Sequence, residues 1–138
     1  MDGSHRRGGG FTIIELTLVL AILAVLTSLA LPSYQGVVRK SRRTEAQAAL
    51  LELALRQERW RSDHPTYALS PTEIGAAVLQ DRLGRYYRFE VVDGTSTSFI
   101  VQAAAVSGEG QEHDRQGAVA CSALRIDQSG MRSPAACW

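Results

Sequence analysis

Residues 11–31 read FTIIELTLVLAILAVLTSLAL, from Phe11 to Leu31, and hold a single charge, Glu15. As a helix rising ~1.5 Å per residue the stretch is about 30 Å long, the hydrocarbon thickness of a bilayer. A carboxylate at mid-membrane costs about 2.5–3.5 kcal/mol even on a lenient insertion scale, so Glu15 calls for a partner. What that partner is decides both fold and function.

Residues 1–10, MDGSHRRGGG, precede this run and carry Arg6 and Arg7. Three readings compete. The first is a secretory signal, with Ser28-Leu29-Ala30 as a small-x-small cleavage site and a soluble product beginning near Leu31. The second is a plain membrane anchor. The third is a cut on the cytoplasmic side, between Gly10 and Phe11, which frees an α-amino group and keeps the apolar helix. A signal core has no need of a carboxylate, and an isolated anchor offers Glu15 no counter-ion. The third reading supplies a cation close by, on the same chain or on a neighbour. The flanking charges do not fix orientation, because Arg39, Lys40, Arg42 and Arg43 on one side oppose Arg6 and Arg7 on the other.

The chain of 138 residues has a net charge of only +1, unevenly distributed. Residues 39–61 hold seven bases against three acids, and residues 62–138 hold six bases against nine acids. A basic stalk thus precedes a mildly acidic head. The cluster Arg39, Lys40, Arg42 and Arg43 reads first as a solvated face meeting lipid phosphates, and second as a strip for DNA or acidic neighbours. It lacks the interleaved aromatics of a strong nucleic-acid site. Cys121 and Cys137 are the two cysteines. Because the apolar segment implies export to an oxidising compartment, they read as a disulfide closing residues 121–137, worth roughly 3 kcal/mol in the chain-entropy model. The rival reading is a pair of free thiols in the cytosol. Neither cysteine has a second ligand at metal-binding spacing, so no metal site is expected.

Beyond Pro32, Ala46, Leu50, Leu53, Ala54, Gln57 and Trp60 recur at helical spacing. Glu52 and Arg56 stand at i and i+4, a supporting pair. One helix is therefore expected over 11–61, ending before Asp63-His64-Pro65. Ser70-Pro71-Thr72-Glu73 reads as the start of a short helix to Leu79, with Ser70 as cap. Alternation then predicts strands at 86–92 (Tyr87, Phe89 and Val91 inward), 98–106 (Phe99, Val101 and Ala103 inward) and 121–127 (Ala123 or Leu124, and Ile126, inward). Residues 107–119 read as a polar loop, Gln128-Ser129-Gly130-Met131 as a turn, and the tail to Trp138 as a short strand or extended segment. A long helix on a three- or four-stranded antiparallel sheet is an α+β arrangement.

Gly10-Phe11-Thr12-Ile13-Ile14-Glu15-Leu16, the apolar run and Leu31-Pro32-Ser33-Tyr34 closely resemble the class III signal of type IV pilins. The ending from Cys121 through Asp127 and Gly130 to Cys137-Trp138 is similar to PilE-type minor pilins. The resemblance implies that prepilin peptidase cuts after Gly10, that the new amine of Phe11 is N-methylated, and that Glu15 pairs with the Phe11 amine of an adjacent subunit. It implies a kinked or locally melted helix near Pro32, where proline also deletes a backbone donor. It implies four parts: a leader at 1–10, a membrane or filament-core helix at 11–32, an amphipathic half at 33–61 and a head at 62–138. The implied partners are other pilin subunits, the peptidase and an inner-membrane assembly platform. The implied location is the inner membrane as a single pass, then an extracellular pilus of a Gram-negative bacterium. No cofactor is implied.

Catalytic signals are missing. The histidines are His5, His64 and His113, and neither a zinc-protease HExxH, a GxSxG elbow nor a phosphate loop is present. Asp63-His64 reads as surface loop rather than part of a triad. Glu109, Glu112, His113 and Asp114 lack the alternation of a calcium loop. The expected function is a structural pilus subunit of the minor class. Two alternatives stand beside it: a DNA-binding pilin of natural transformation, and a type II secretion pseudopilin, whose relatives often carry a calcium loop in place of the terminal disulfide.

Overall fold

In the computed structural model the described residues are 11–138. The leader, including Gly10 of the expected scissile bond, lies outside them. The described chain falls into two units, one ending at Gln35 and one covering Gly36–Trp138.

The first unit is helical from Ile13, the start of α1 (Ile13–Asp63). Thr12 caps it. The Glu15 amide donates to Thr12 Oγ1 at 3.2 Å, and the Leu16 amide donates to the Thr12 carbonyl at 3.1 Å. This is the Thr-x-x-Glu pattern of a capping box, with the threonine half in place. α1 contains a stretch long and apolar enough to cross a membrane. Its hydroxyls satisfy themselves against preceding carbonyls: Thr17 on Ile14, Thr27 on Leu23 and Ala24, and Ser28 on Val25. That is what apolar surroundings require of polar groups. Pro32 stands inside α1, which is helical on both sides of it.

The second unit builds a core on the later turns of α1. Ala46, Ala49, Leu50 and Leu53 are buried with Tyr67, Ile74, Leu79, Leu83 and the inward residues of a sheet. α2 (Ala77–Leu83) presents Leu79 and Leu83, one helical turn apart, to this core. The sheet order is β1 (Tyr87–Gly94), β2 (Phe99–Ala105), β5 (Ala123–Asp127), β6 (Arg132–Ser133), all antiparallel. Phe89 pairs with Ala103, and Ala103 with Leu124, so one face stacks Tyr87, Phe89, Val101, Ala103, Leu124 and Ile126 inward. The expected strand faces are therefore correct, with Leu124 rather than Ala123 pointing in.

Three features differ from expectation. The short helix begins at Ala77 rather than Ser70. Ser70–Glu73 does form a reciprocal cap, with Glu73 Oε2 accepting from the Leu69 and Ser70 amides at 2.7 and 3.1 Å. The turn it caps ends at Gly75, whose φ of +65° lies in the left-handed region and stops any helix there. The polar stretch 107–119 also holds structure: a 3-10 turn at Gln111–His113 and a small hairpin of β3 (Arg115–Gln116) with β4 (Val119–Ala120). Finally, α1 continues to Asp63, a turn-fraction past the expected end.

Cys121 and Cys137 form a disulfide, with Cα atoms 5.6 Å apart and both sulfurs buried. The Gln47 amide donates to the Cys137 carbonyl, tying the C-terminal segment to α1.

Candidate functional site

The first candidate site is the N-terminal end of α1. Phe11, Ile13 and Ile14 are each about four-fifths exposed, and every residue from Phe11 to Gln35 is exposed in the isolated chain. Glu15 sits in the first turn. The unpaired amides there carry partial positive charge, which favours a carboxylate by about 0.3–1 kcal/mol. That is well short of the cost of placing the charge in hydrocarbon, so the helix end alone does not satisfy Glu15. Sequence reasoning missed this capping role, although Thr12-x-x-Glu15 is its signature.

The second candidate was the basic strip, and its four members part company. Arg43 is buried. Its Nη1 lies 3.3 Å from Asp114 Oδ2, both side chains being about 5 % exposed or less, and its Nη2 donates to Gln116 Oε1 at 2.9 Å. This corrects its assignment to an anion-binding surface: its guanidinium is committed inside the head. Arg39 is half-buried and its carbonyl accepts from the Gln111 side chain at 3.1 Å. Gln111 also donates to the Tyr87 hydroxyl at 2.8 Å. Burial pushes the Tyr87 phenol up to about 12. Burial also raises the Asp114 carboxyl above its ordinary value, with Arg43 and then Arg39 opposing. The network Arg43–Asp114–Gln116 with Gln111–Tyr87 thus pins the 107–120 segment to α1 and β1. Arg42 instead lays its guanidinium over the Tyr86 ring, 3.6 Å from the centroid. Lys40 is exposed.

The acidic loop residues are each engaged elsewhere. Glu109 pairs with Arg85 at 2.9 Å, Glu112 accepts from the Gly108 amide at 3.0 Å, and Asp114 faces Arg43. Among the described residues, no three His, Cys, Asp or Glu side chains gather into a metal cluster. His64 stacks on Trp60 with centroids 3.6 Å apart, and its Nδ1 meets the Trp60 carbonyl at 2.9 Å. It closes the end of α1 and is not poised toward a serine. The outward face of the sheet displays Arg88 on β1 and Arg125 on β5, both exposed. The alternation that placed Phe89 and Leu124 inward also placed these two arginines outward, a signal left unused by the sequence reading.

Family comparisons match both units. Residues 5–31 match the prokaryotic N-terminal methylation motif. Residues 32–125 match a family described as type IV minor pilin ComP, DNA uptake sequence receptor. Among curated relatives, the type IV major pilin protein PilA of Myxococcus xanthus is 35% identical over 89 residues, 64% of this chain and 40% of that protein. A fimbrial protein of Neisseria meningitidis is 33% identical over 102 residues, 68% of this chain and 56% of that protein. The type II secretion system core protein G of Dickeya chrysanthemi is 32% identical over 74 residues, 54% of this chain and 48% of that protein. The chain thus spans about half the length of these relatives. A solved type IV pilin of Shewanella oneidensis superposes with a TM-score of 0.48 at 24% identity, covering 72% of this chain and 97% of that one.

Proposed function

The chain belongs to the type IV pilin family, and from that premise we propose that it is a minor structural subunit of a type IV pilus. The leader 1–10 is removed by prepilin peptidase between Gly10 and Phe11, and the Phe11 amine is methylated. The subunit waits as a single-pass protein in the inner membrane of a Gram-negative bacterium. An assembly platform then lifts it into the filament. There residues 11–32 bundle with those of other subunits, while residues 33–61 and the head of residues 62–138 complete the subunit.

The observation that supports this most is Glu15, one carboxylate at the capped start of an otherwise apolar and fully exposed span. Burial of Ile13, Leu16, Leu20, Leu23 and Leu26 against other copies supplies the driving force. It is not directional, so a charge pair between Glu15 and a neighbour's Phe11 amine sets the axial register. Removing one member leaves the other buried and uncompensated, at a cost of about 3–5 kcal/mol. The Glu15→Ala variant is therefore expected to be cleaved normally and to be depleted at least tenfold from sheared filaments. Incorporation at the wild-type level refutes the register role.

The matched family's description favours a second role, reception of DNA at the cell surface. Arg88, Arg115 and Arg125 are exposed on the head, Arg125 with its Nε donated to Gln102 Oε1, although the head as a whole is net acidic. Gel-shift titration of the full chain in mild detergent tests this. DNA reception predicts binding that weakens with salt in proportion to the phosphates contacted, and less steeply once Arg88 and Arg125 become glutamine.

A further inference from the structure

Ionic pairing divides the arginines of the second unit into two groups. Arg43, Arg56 and Arg85 each face a carboxylate within 3.3 Å. Arg42 and Arg82 form no ion pair among the described residues, yet both line one recess of about 290 Å³ between α1 and α2. Val38, Ser41, Glu45 and Tyr86 share its wall. We propose that this recess holds the phosphate headgroup of an anionic membrane lipid.

The recess is built for a single monoanion. Two guanidiniums face one carboxylate, Glu45, which leaves one unit of positive charge for a phosphodiester. Arg42 is fixed by stacking on Tyr86, at 3.6 Å from the ring centroid. A stacked guanidinium keeps its N–H donors free in its own plane, where a phosphate accepts two of them. Ser41 adds a hydroxyl donor at the same wall. Val38 and Leu83 supply the apolar side that glycerol and the first acyl carbons need.

Chain position selects a lipid over other phosphates. The apolar run ends at Leu31, and Val38 follows within at most ~25 Å along any chain path. Tyr34 and Val37 between them are about two-thirds exposed, the amphipathic and apolar types found at a membrane interface. Arg39 and Lys40, likewise unpaired with carboxylates among the described residues, add positive charge beside the recess. A recess of this volume admits one headgroup and excludes a nucleic-acid duplex.

The inference rests on the reading that residues 11–31 stay on the mature chain and enter a membrane, so the experiment has two arms. In the first, the full chain is floated with vesicles of phosphatidylcholine alone. Flotation upholds membrane insertion whatever the headgroup, and its failure removes the premise and the proposal with it. In the second, native mass spectrometry counts the lipids retained by the full chain released from micelles doped equally with phosphatidylglycerol and phosphatidylcholine. At about one kcal/mol per basic group near an anionic surface, two arginines predict a preference for phosphatidylglycerol of roughly 30-fold. The Arg42→Gln/Arg82→Gln variant is expected to lose it. The Arg59→Gln/Arg88→Gln variant, with the same net charge, is expected to keep it. Arg82 is exposed, so Arg82→Gln alone, with an expected fivefold loss, serves if the double variant fails to fold. Equal loss in both double variants, no initial preference, or displacement of the lipid by equimolar inorganic phosphate or by duplex DNA overturns the proposal.

Discussion

Arg43 and Asp114 form an ion pair that the head cannot leave half-made. The atoms lie 3.3 Å apart and both side chains are at most 5% exposed. At an effective dielectric of ~20 the attraction is about 5 kcal/mol, most of it spent on removing two ions from water. In keeping with that balance, burial raises the Asp114 carboxyl above its ordinary value despite the guanidinium beside it. Asp114→Ala leaves Arg43 with Gln116 Oε1 as its remaining side-chain acceptor. Arg43→Met strands the carboxylate. Each single change is expected to cost about 3–5 kcal/mol, whereas Arg43→Met/Asp114→Leu, which removes both charges, returns to within about 1 kcal/mol of the parent. The assay is urea unfolding of the full chain in mild detergent, read by tryptophan fluorescence. Both tryptophans, Trp60 and Trp138, lie in the second unit and report the head alone. In thermal scans the single variants should melt at least ~12 °C lower, at roughly 4 °C per kcal/mol. If each single variant loses less than about 1 kcal/mol and the double behaves as their sum, the pair is solvated and the reasoning fails.

Two further outcomes follow from the head. Gln57 is fully buried, and its amide both donates to the Ala68 carbonyl at 3.0 Å and accepts from the Ala68 amide at 2.9 Å. Gln57→Ala strands two buried backbone groups and should cost about 2–5 kcal/mol in the same urea assay, while Gln57→Glu keeps the acceptor and loses the donor. Asp127 holds the turn to β6. The Ser129 hydroxyl at 2.6 Å and then the Met131 and Ser129 amides keep its carboxyl below the ordinary 3.8. A depressed carboxyl stabilises above the unfolded value and loses that contribution as pH falls through the folded value. Hydrogen-exchange protection of the Ser129 and Met131 amides should therefore hold at pH 5 and collapse below pH 3.8, with no matching change at the β1–β2 ladder.

What the sequence made legible was periodicity. Runs such as Ala46, Leu50 and Leu53 at helical spacing, and Tyr87, Phe89 and Val91 at alternate positions, report burial directly, and the core contains them. Polar burial left no such trace. Arg43 sits among Arg39, Lys40 and Arg42 and looks like one more solvated charge. Its face of α1 becomes interior because Asp114 and Gln116, more than 70 positions later, fold over it. Gln111 lay in a stretch read as loop for its glycines and charges, yet it is fully buried because Tyr87 and the Arg39 carbonyl need its amide. The misplaced start of α2 has a local cause. Ser70 and Glu73 carry a genuine capping signal, and the left-handed Gly75 that ends the capped turn is invisible to periodicity. At the N-terminal site the carboxylate was legible because it violates its surroundings. The threonine that caps the same turn was not, since Thr12 fits a helix start without violating anything.

The most direct measurement is the intact mass of the polypeptide recovered from sheared surface filaments, with fragmentation of its first residues. Assembly through the retained helix predicts a polypeptide whose first residue is Phe11, carrying one extra methyl on its amine, with the Cys121–Cys137 bond intact. A chain beginning near Leu31, or absence of this polypeptide from the filaments, contradicts it, because the span that carries Glu15 would then play no part in assembly.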